Sequence, residues 1–148
     1  MKKNNKKGFT LAELLIVVAI IGVLVAISIP IFTSQLEKSR DAVTLSNIRA
    51  AYAEAQTAYL TESSDGTNVV YTPATTGKEA TVEVKGVISK GTQEGLNNLD
   101  QLPFGSLVNG GSGAADWKAK ASLGGTAKSW DITFTYNANG AIDKVEAK

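Results

Sequence analysis

Cysteine and histidine are both absent from the 148 residues. Without cysteine there is no disulfide framework and no thiol nucleophile, and with histidine missing too there is no Cys/His zinc site. The lack of histidine also removes the side chain most used as a general base near neutral pH. Any catalytic site would have to be built from Ser, Asp, Glu, Lys and Tyr. Net charge is nearly absent as well, at +1, but that figure hides an asymmetry. Lys2, Lys3, Lys6 and Lys7 lie in the first eight positions, which hold no acid. The other eleven basic residues face fourteen acidic ones, so the body carries −3. A mildly acidic body does not indicate a nucleic-acid-binding surface.

What is present in abundance is a long apolar run. Gly8-Phe9-Thr10-Leu11-Ala12-Glu13 leads into uninterrupted aliphatic residues from Leu14 to Ile27, and the apolar character continues past Ser28 and Pro30 to Phe32. As a helix, residues 9–32 exceed the roughly 20 residues needed to cross a hydrocarbon core. The flanking lysines predict a cytoplasmic N-terminus and an outward-facing C-terminal bulk. Three readings compete. A secretory signal peptide would end in a small-residue cleavage site, which Ser28-Ile29-Pro30-Ile31-Phe32 does not supply. A plain signal anchor fits the hydropathy but gives no reason for Glu13. A carboxylate in a lipid-embedded helix costs roughly 2.5–3.5 kcal/mol at mid-bilayer, and less near the headgroups.

The combination of Lys6-Lys7-Gly8-Phe9-Thr10-Leu11-Ala12-Glu13 with an apolar helix containing a proline resembles the class III leader of type IV prepilins. The match runs from Lys6 to about Phe32. The resemblance implies removal of residues 1–8 by a prepilin peptidase cutting between Gly8 and Phe9, with N-methylation of the new Phe9 terminus. The apolar segment would then stay in the mature chain. Glu13 lies four residues along from the Phe9 amine, so the carboxylate of one subunit could meet the ammonium of a neighbour. Pairing removes much of the penalty of a buried charge, which would favour correct axial register. Gly22 and Pro30 match the family pattern too, and the resemblance implies that the helix loosens between them when subunits pack. Both weaken a helix, by about 1 kcal/mol for Gly and about 3 for Pro. In a single subunit a tolerated Gly and one kink suffice.

Beyond the membrane segment, no turn signal interrupts residues 33–61. Leu36, Val43, Ile48, Ala51, Tyr52, Ala55 and Tyr59 recur at spacings of three, four and seven, with one of five, and read as an amphipathic core stripe. Ser63-Ser64-Asp65-Gly66 supplies the stop. One helix over residues 9–61 would be about 80 Å long. Further on, Val69–Tyr71 and Thr81–Lys85 read as short strands, with Leu96, Leu99, Leu102 and Phe104 wrapping onto the helix. Trp117–Ala121 and Trp130–Tyr136 alternate, and Asn139-Gly140 signals a two-residue hairpin. That loop sets Phe134 opposite Val145, Tyr136 opposite Asp143 and Ile132 opposite Ala147. With a loop at Gly124-Gly125, Trp117 faces Ile132. The expectation is a three-strand antiparallel meander packed on the Tyr52/Tyr59 face.

The resulting fold class is α+β: a long N-terminal helix, half membrane-spanning and half amphipathic, on a small antiparallel C-terminal sheet, the ladle of the pilins. The division is leader 1–8, transmembrane or filament-core helix 9–32, amphipathic helix 33–62, and globular domain 63–148. The resemblance makes the outer loops the variable, partner-facing part, and the missing disulfide points to the pilins of Gram-positive bacteria. It implies a structural subunit of an extracellular type IV pilus serving adhesion, motility, aggregation or DNA uptake. Its partners would be further copies of itself, prepilin peptidase, the membrane assembly machinery and, before assembly, lipid. The rival is a pseudopilin of a type II secretion or competence system, but Asp131, Asp143 and Glu146 are too scattered for the calcium loop such proteins often carry. A membrane-anchored enzyme finds no Ser/His, metal or phosphate-loop constellation, and the glycines near Gly110 lack the Lys-Ser/Thr of a phosphate loop. A soluble domain behind an ordinary anchor would not be processed to begin at Phe9. No cofactor and no metal are expected.

Overall fold

The computed structural model describes residues 7–90, 96, 98–108 and 128–148. The chain divides into two compact units, one up to Leu36 and one from Glu37 onward.

The first unit is helical from Leu11, the start of α1 (Leu11–Thr61). It carries no interior: every described residue up to Leu36 is exposed. Two of its side-chain hydroxyls turn back onto the helix backbone. Ser28 donates to the Leu24 carbonyl (2.7 Å) and Thr33 to the Pro30 carbonyl (3.0 Å), so neither presents an unsatisfied donor. The helix runs unbroken through Gly22 and Pro30.

In the second unit, the rest of α1 lies against a four-stranded sheet of β1 (Val69–Thr72), β2 (Ala80–Ser89), β3 (Lys128–Tyr136) and β4 (Ile142–Ala147). The strands are antiparallel and neighbour one another in chain order. The helix buries Thr44, Leu45, Ile48, Ala51, Ala55 and Ala58. This corrects the sequence-based stripe. Leu36 and Val43 remain 39% and 40% exposed and sit on another face; the step of five from Val43 to Ile48 marks the change of side. Tyr52 and Tyr59 do reach the core. Tyr52 meets Phe104 and Phe134 at ring separations of 5.6 and 6.1 Å, and Tyr59 stacks on Tyr136 at 3.9 Å. Polar pins fix the docking: the Thr44 hydroxyl accepts the Lys90 N–H (2.9 Å), and the Asn47 amide donates to the Ile88 carbonyl (2.8 Å).

The helix stops at Thr61, ahead of the serine-rich turn. Glu62 adopts φ 50°, its N–H donates to the Tyr59 carbonyl, and Ser63 N–H donates to the Ala58 carbonyl. That is the paired bonding of a Schellman cap, with Glu where glycine is usual. Asp65 then organises the turn into β1, its Oδ1 accepting the backbone N–H groups of Thr67, Asn68 and Val69, each at 2.8 Å. These bonds hold the Asp65 carboxyl below the usual range. A carboxylate with a depressed folded pKa adds stability above its unfolded pKa of about 3.9, and that share is lost as pH falls through the lower folded value. In acid, wild-type chain should therefore lose stability more steeply than Asp65→Asn, as followed by urea unfolding from pH 6 to pH 2.

The hairpin is legible in part. Ile132 pairs with Ala147 and Phe134 with Val145, as expected, but Tyr136 pairs with Ile142 instead of Asp143. The physical reason is the turn. Asn137 Oδ1 accepts the N–H groups of Asn139 (3.0 Å) and Ala141 (3.1 Å), and Gly140 takes φ 78°. The Asn137 N–H donates to the Ala141 carbonyl (2.9 Å), so the loop holds three residues, 138–140, in place of the expected two-residue Asn139-Gly140 turn, and a bulge at Asp143 restores the register. The expected pairing of Trp117 with Ile132 is overturned, because Val84 of β2 holds that place. With β2 on one side and β4 on the other, β3 has no free edge. The Val-rich β2 is the better strand former. Residues 117–121 lie outside the described residues.

The remaining core side chains, Leu96, Leu99, Leu102, Phe104 and Val108, close over the helix and sheet from a 3-10 turn (Leu99–Gln101) and the short α2 (Gly105–Val108). A Cβ on Gly105 would stand 2.5 Å from the Leu99 carbonyl oxygen and 2.9 Å from Asp100 Cα, both backbone atoms. Gly105→Ala should cost about 1–3 kcal/mol, read as a lower urea midpoint at unchanged slope. Tyr136 is 1% exposed and burial drives its phenol far above the ordinary tyrosine range, yet its hydroxyl has no hydrogen-bond partner among the described residues. Removing an orphaned hydroxyl relieves its desolvation cost, so Tyr136→Phe should raise stability by about 1 kcal/mol in the same assay.

Candidate assembly site

The residues singled out near the N-terminus fall in one short stretch. Lys7 to Thr10 precede the helix, so the Gly8–Phe9 peptide bond lies in non-helical, exposed backbone. A Cβ built on Gly8 would meet nothing within 4 Å, and Phe9 is 92% exposed. The bond is open to a peptidase, and nothing in the fold needs residues 7 and 8.

Thr10 and Glu13 form a reciprocal cap that sequence reasoning missed. Glu13 Oε2 accepts the Thr10 backbone N–H at 2.8 Å and the Thr10 hydroxyl at 3.0 Å. The Thr10 hydroxyl oxygen in turn accepts the Glu13 N–H at 3.3 Å. This is a capping box, and its signal, Thr followed three residues later by Glu before an apolar run, was readable. The cap fixes the carboxylate at the first turn of α1, where the helix dipole favours negative charge. Both bonds fall on Oε2, which leaves Oε1 to take a further donor. A free amine on Phe9 would stand one residue before the cap.

Gly22 and Pro30 are not brought near this cluster; they lie one and two further stretches along the same helix, in regular helical backbone. In the globular unit two of the three acidic residues that bear on a calcium loop, Asp131 and Glu146, are engaged otherwise. Asp131 accepts the Gly86 N–H (3.1 Å), and Glu146 pairs with Lys144 at 2.8 Å. What the site offers is an exposed Gly8–Phe9 peptide bond, a positioned carboxylate and an apolar helix.

The family described as "Prokaryotic N-terminal methylation motif" matches residues 3–29. Over 130 residues the chain is 32% identical to Prepilin peptidase-dependent protein D of Escherichia coli, covering 81% of this chain and 86% of that protein. It is 46% identical over 58 residues to the Type IV major pilin protein PilA of Myxococcus xanthus, covering 39% of this chain and 26% of that one. Identity to the Type IV narrow pilus major component PilA5 of Thermus thermophilus is 50% over 50 residues, covering 32% and 43%. The chain thus spans about a quarter of the Myxococcus protein and under half of the Thermus one. No solved structure matches.

Proposed function

The chain belongs to the type IV pilins, non-enzymatic subunits made as membrane-anchored prepilins that form an extracellular pilus, and we propose on that footing that it is a pilus-building subunit cut after Gly8 and methylated on Phe9. The observation that carries this reading is the helix that has no interior. From Leu11 to Leu36 it buries nothing of its own, although its side chains are almost all apolar. Contiguous apolar surface of that extent is kept from water by lipid or by other proteins. One helix suits both settings: lipid covers it before assembly, and sister helices cover it afterwards.

Assembly then moves Phe9 and Glu13 from the headgroup region into the filament. The new amine and the capped carboxylate are the two charges that enter, and they are four residues apart on each subunit. In-register stacking lets the Glu13 Oε1 of one copy receive the ammonium of the next, while slipped stacking strands both. Gly22 and Pro30 make the intervening helix the easiest part to loosen when neighbouring rods press together. The exposed turns of the globular unit would face outward and meet surfaces, other cells or DNA.

Immuno-electron microscopy of cells with antibody to the globular unit tests this. Long labelled surface filaments are expected. Label confined to the envelope in wild-type cells would favour the pseudopilus of a secretion or competence machine, whose subunits share the same leader.

A further inference from the structure

We propose that Asn139 is a site of spontaneous deamidation through Gly140, and that Asn137 sets its rate by holding the turn between β3 and β4 shut. This chemistry belongs to the globular unit and is independent of the pilus reading.

Asn139 and Gly140 adjoin in the loop that joins the last two strands. Asn139 is exposed, and its side-chain amide has no hydrogen-bond partner among the described residues. Gly140 has no Cβ to crowd an approach by its nitrogen, and its φ of 78° is one that glycine adopts without strain. The reaction needs only these two residues and water. In the opened turn the Gly140 nitrogen gives its proton to solvent base and attacks Asn139 Cγ. The Cγ–Nδ2 bond breaks, the nitrogen takes up a proton and leaves as ammonia, and a succinimide ring remains. Water then cuts the ring. Hydrolysis at Cγ gives aspartate. Hydrolysis at the main-chain carbonyl gives isoaspartate, whose backbone runs through Cγ and is one methylene longer.

The closed turn resists this reaction, and Asn137 is the reason. Its carbonyl accepts the Gly140 N–H at 2.9 Å, which ties up the attacking nitrogen. Its own N–H donates to the Ala141 carbonyl at 2.9 Å. Its Oδ1 accepts the N–H groups of Asn139 (3.0 Å) and Ala141 (3.1 Å). Tyr59 backs the glycine from the helix side: a Cβ on Gly140 would lie 3.5 Å from the Tyr59 hydroxyl. Reaction therefore waits for local opening, and its rate follows the open population. Asn137 itself is spared. Its side chain is held by two bonds, and the residue after it, Ala138, sets a Cβ beside the nitrogen that would attack. Aspartate at 139 refits the turn, because the Asn139 amide made no bond there. Isoaspartate does not refit, because its extra methylene moves Gly140 away from Asn137 and Tyr59. The change runs one way, so it records how long the turn has stood open.

Peptide mapping of detergent-solubilised full chain, aged at mildly alkaline pH, is the test. The tryptic peptide Ser129–Lys144 carries both asparagines, and fragmentation tells aspartate and isoaspartate from asparagine at each. Conversion is expected at Asn139 and not at Asn137. Chain unfolded in guanidinium chloride should convert at Asn139 at least about tenfold faster than folded chain. Folded Asn137→Ala, which loses the two side-chain bonds, should also gain at least about tenfold. Asn137→Asp keeps an acceptor oxygen in place and should stay within about twofold of wild type. Should Asn137→Ala misfold, the comparison of folded with unfolded wild type still decides. Equal rates in those two states overturn the lock, as does a wild-type rate in folded Asn137→Ala. Conversion at Asn137 in place of Asn139, or none at Asn139 even in unfolded chain, overturns the site.

Discussion

Glu13→Ala is expected to leave the chain cut at Gly8 and inserted in the membrane, but to lower filament yield by about a hundredfold or more. The estimate follows from stranding one partner of a buried pair, which costs about 3–5 kcal/mol, at roughly 1.4 kcal/mol per tenfold change. Alanine removes two things at once: the charge that would meet a neighbouring Phe9 amine, and the acceptor for the Thr10 N–H and hydroxyl. Glu13→Gln separates them. Glutamine keeps the capping-box acceptor and loses the charge. If the charge sets the register, Glu13→Gln fails as Glu13→Ala does; if the cap alone matters, Glu13→Gln assembles and Thr10→Val does not. Filament yield in the sheared fraction, blotted against total processed chain, reads all three variants. Normal assembly by Glu13→Ala would contradict any assembly role for the residue.

The second large effect is on stability. Phe134→Ala should destabilise the globular unit by about 3–5 kcal/mol. Phe134 is fully buried, and its ring meets Phe104 at 5.3 Å and Tyr52 at 6.1 Å, both edge-on. It is the place where helix, sheet and the Leu99–Val108 segment converge, so no single element can collapse to fill the gap. A domain with a total stability of about 5–15 kcal/mol loses a large share of it. The melting temperature of detergent-solubilised chain, followed by near-ultraviolet circular dichroism, should fall by at least about 10 °C. A fall of a degree or two would mean that this core relaxes around the cavity.

Features encoded locally were legible in the sequence. The leader motif, the apolar rod and the helix end at Thr61 each follow from residues adjacent in the chain. So does the hairpin register at Phe134 and Val145, because period-two burial tolerates no slip. Features set by competition between distant segments were not. Whether Val84 or Trp117 pairs with Ile132 depends on which strand reaches β3, and periodicity alone says nothing of that. The extension of β2 to Ser89 depends on Gly86 taking φ 75° beside Asp131, whose carboxylate accepts the Gly86 N–H. Leu36 and Val43 read as core from the sequence because the helix carries two uncharged stripes on opposite faces, and residue type does not say which one meets the sheet. The Thr10–Glu13 box is different: it is local, and its Thr-x-x-Glu pattern ahead of an apolar run is plain in the sequence.

The central physical claim is that the apolar rod stays in the mature chain and exchanges lipid for sister rods. Intact-mass measurement of the chain in filaments sheared from cells tests it most directly. The expected mass is that of residues 9–148 plus one methyl group, with that group on the Phe9 amine after fragmentation. A chain still beginning at Met1, or one cut beyond Phe32 and so lacking the rod, would contradict the claim.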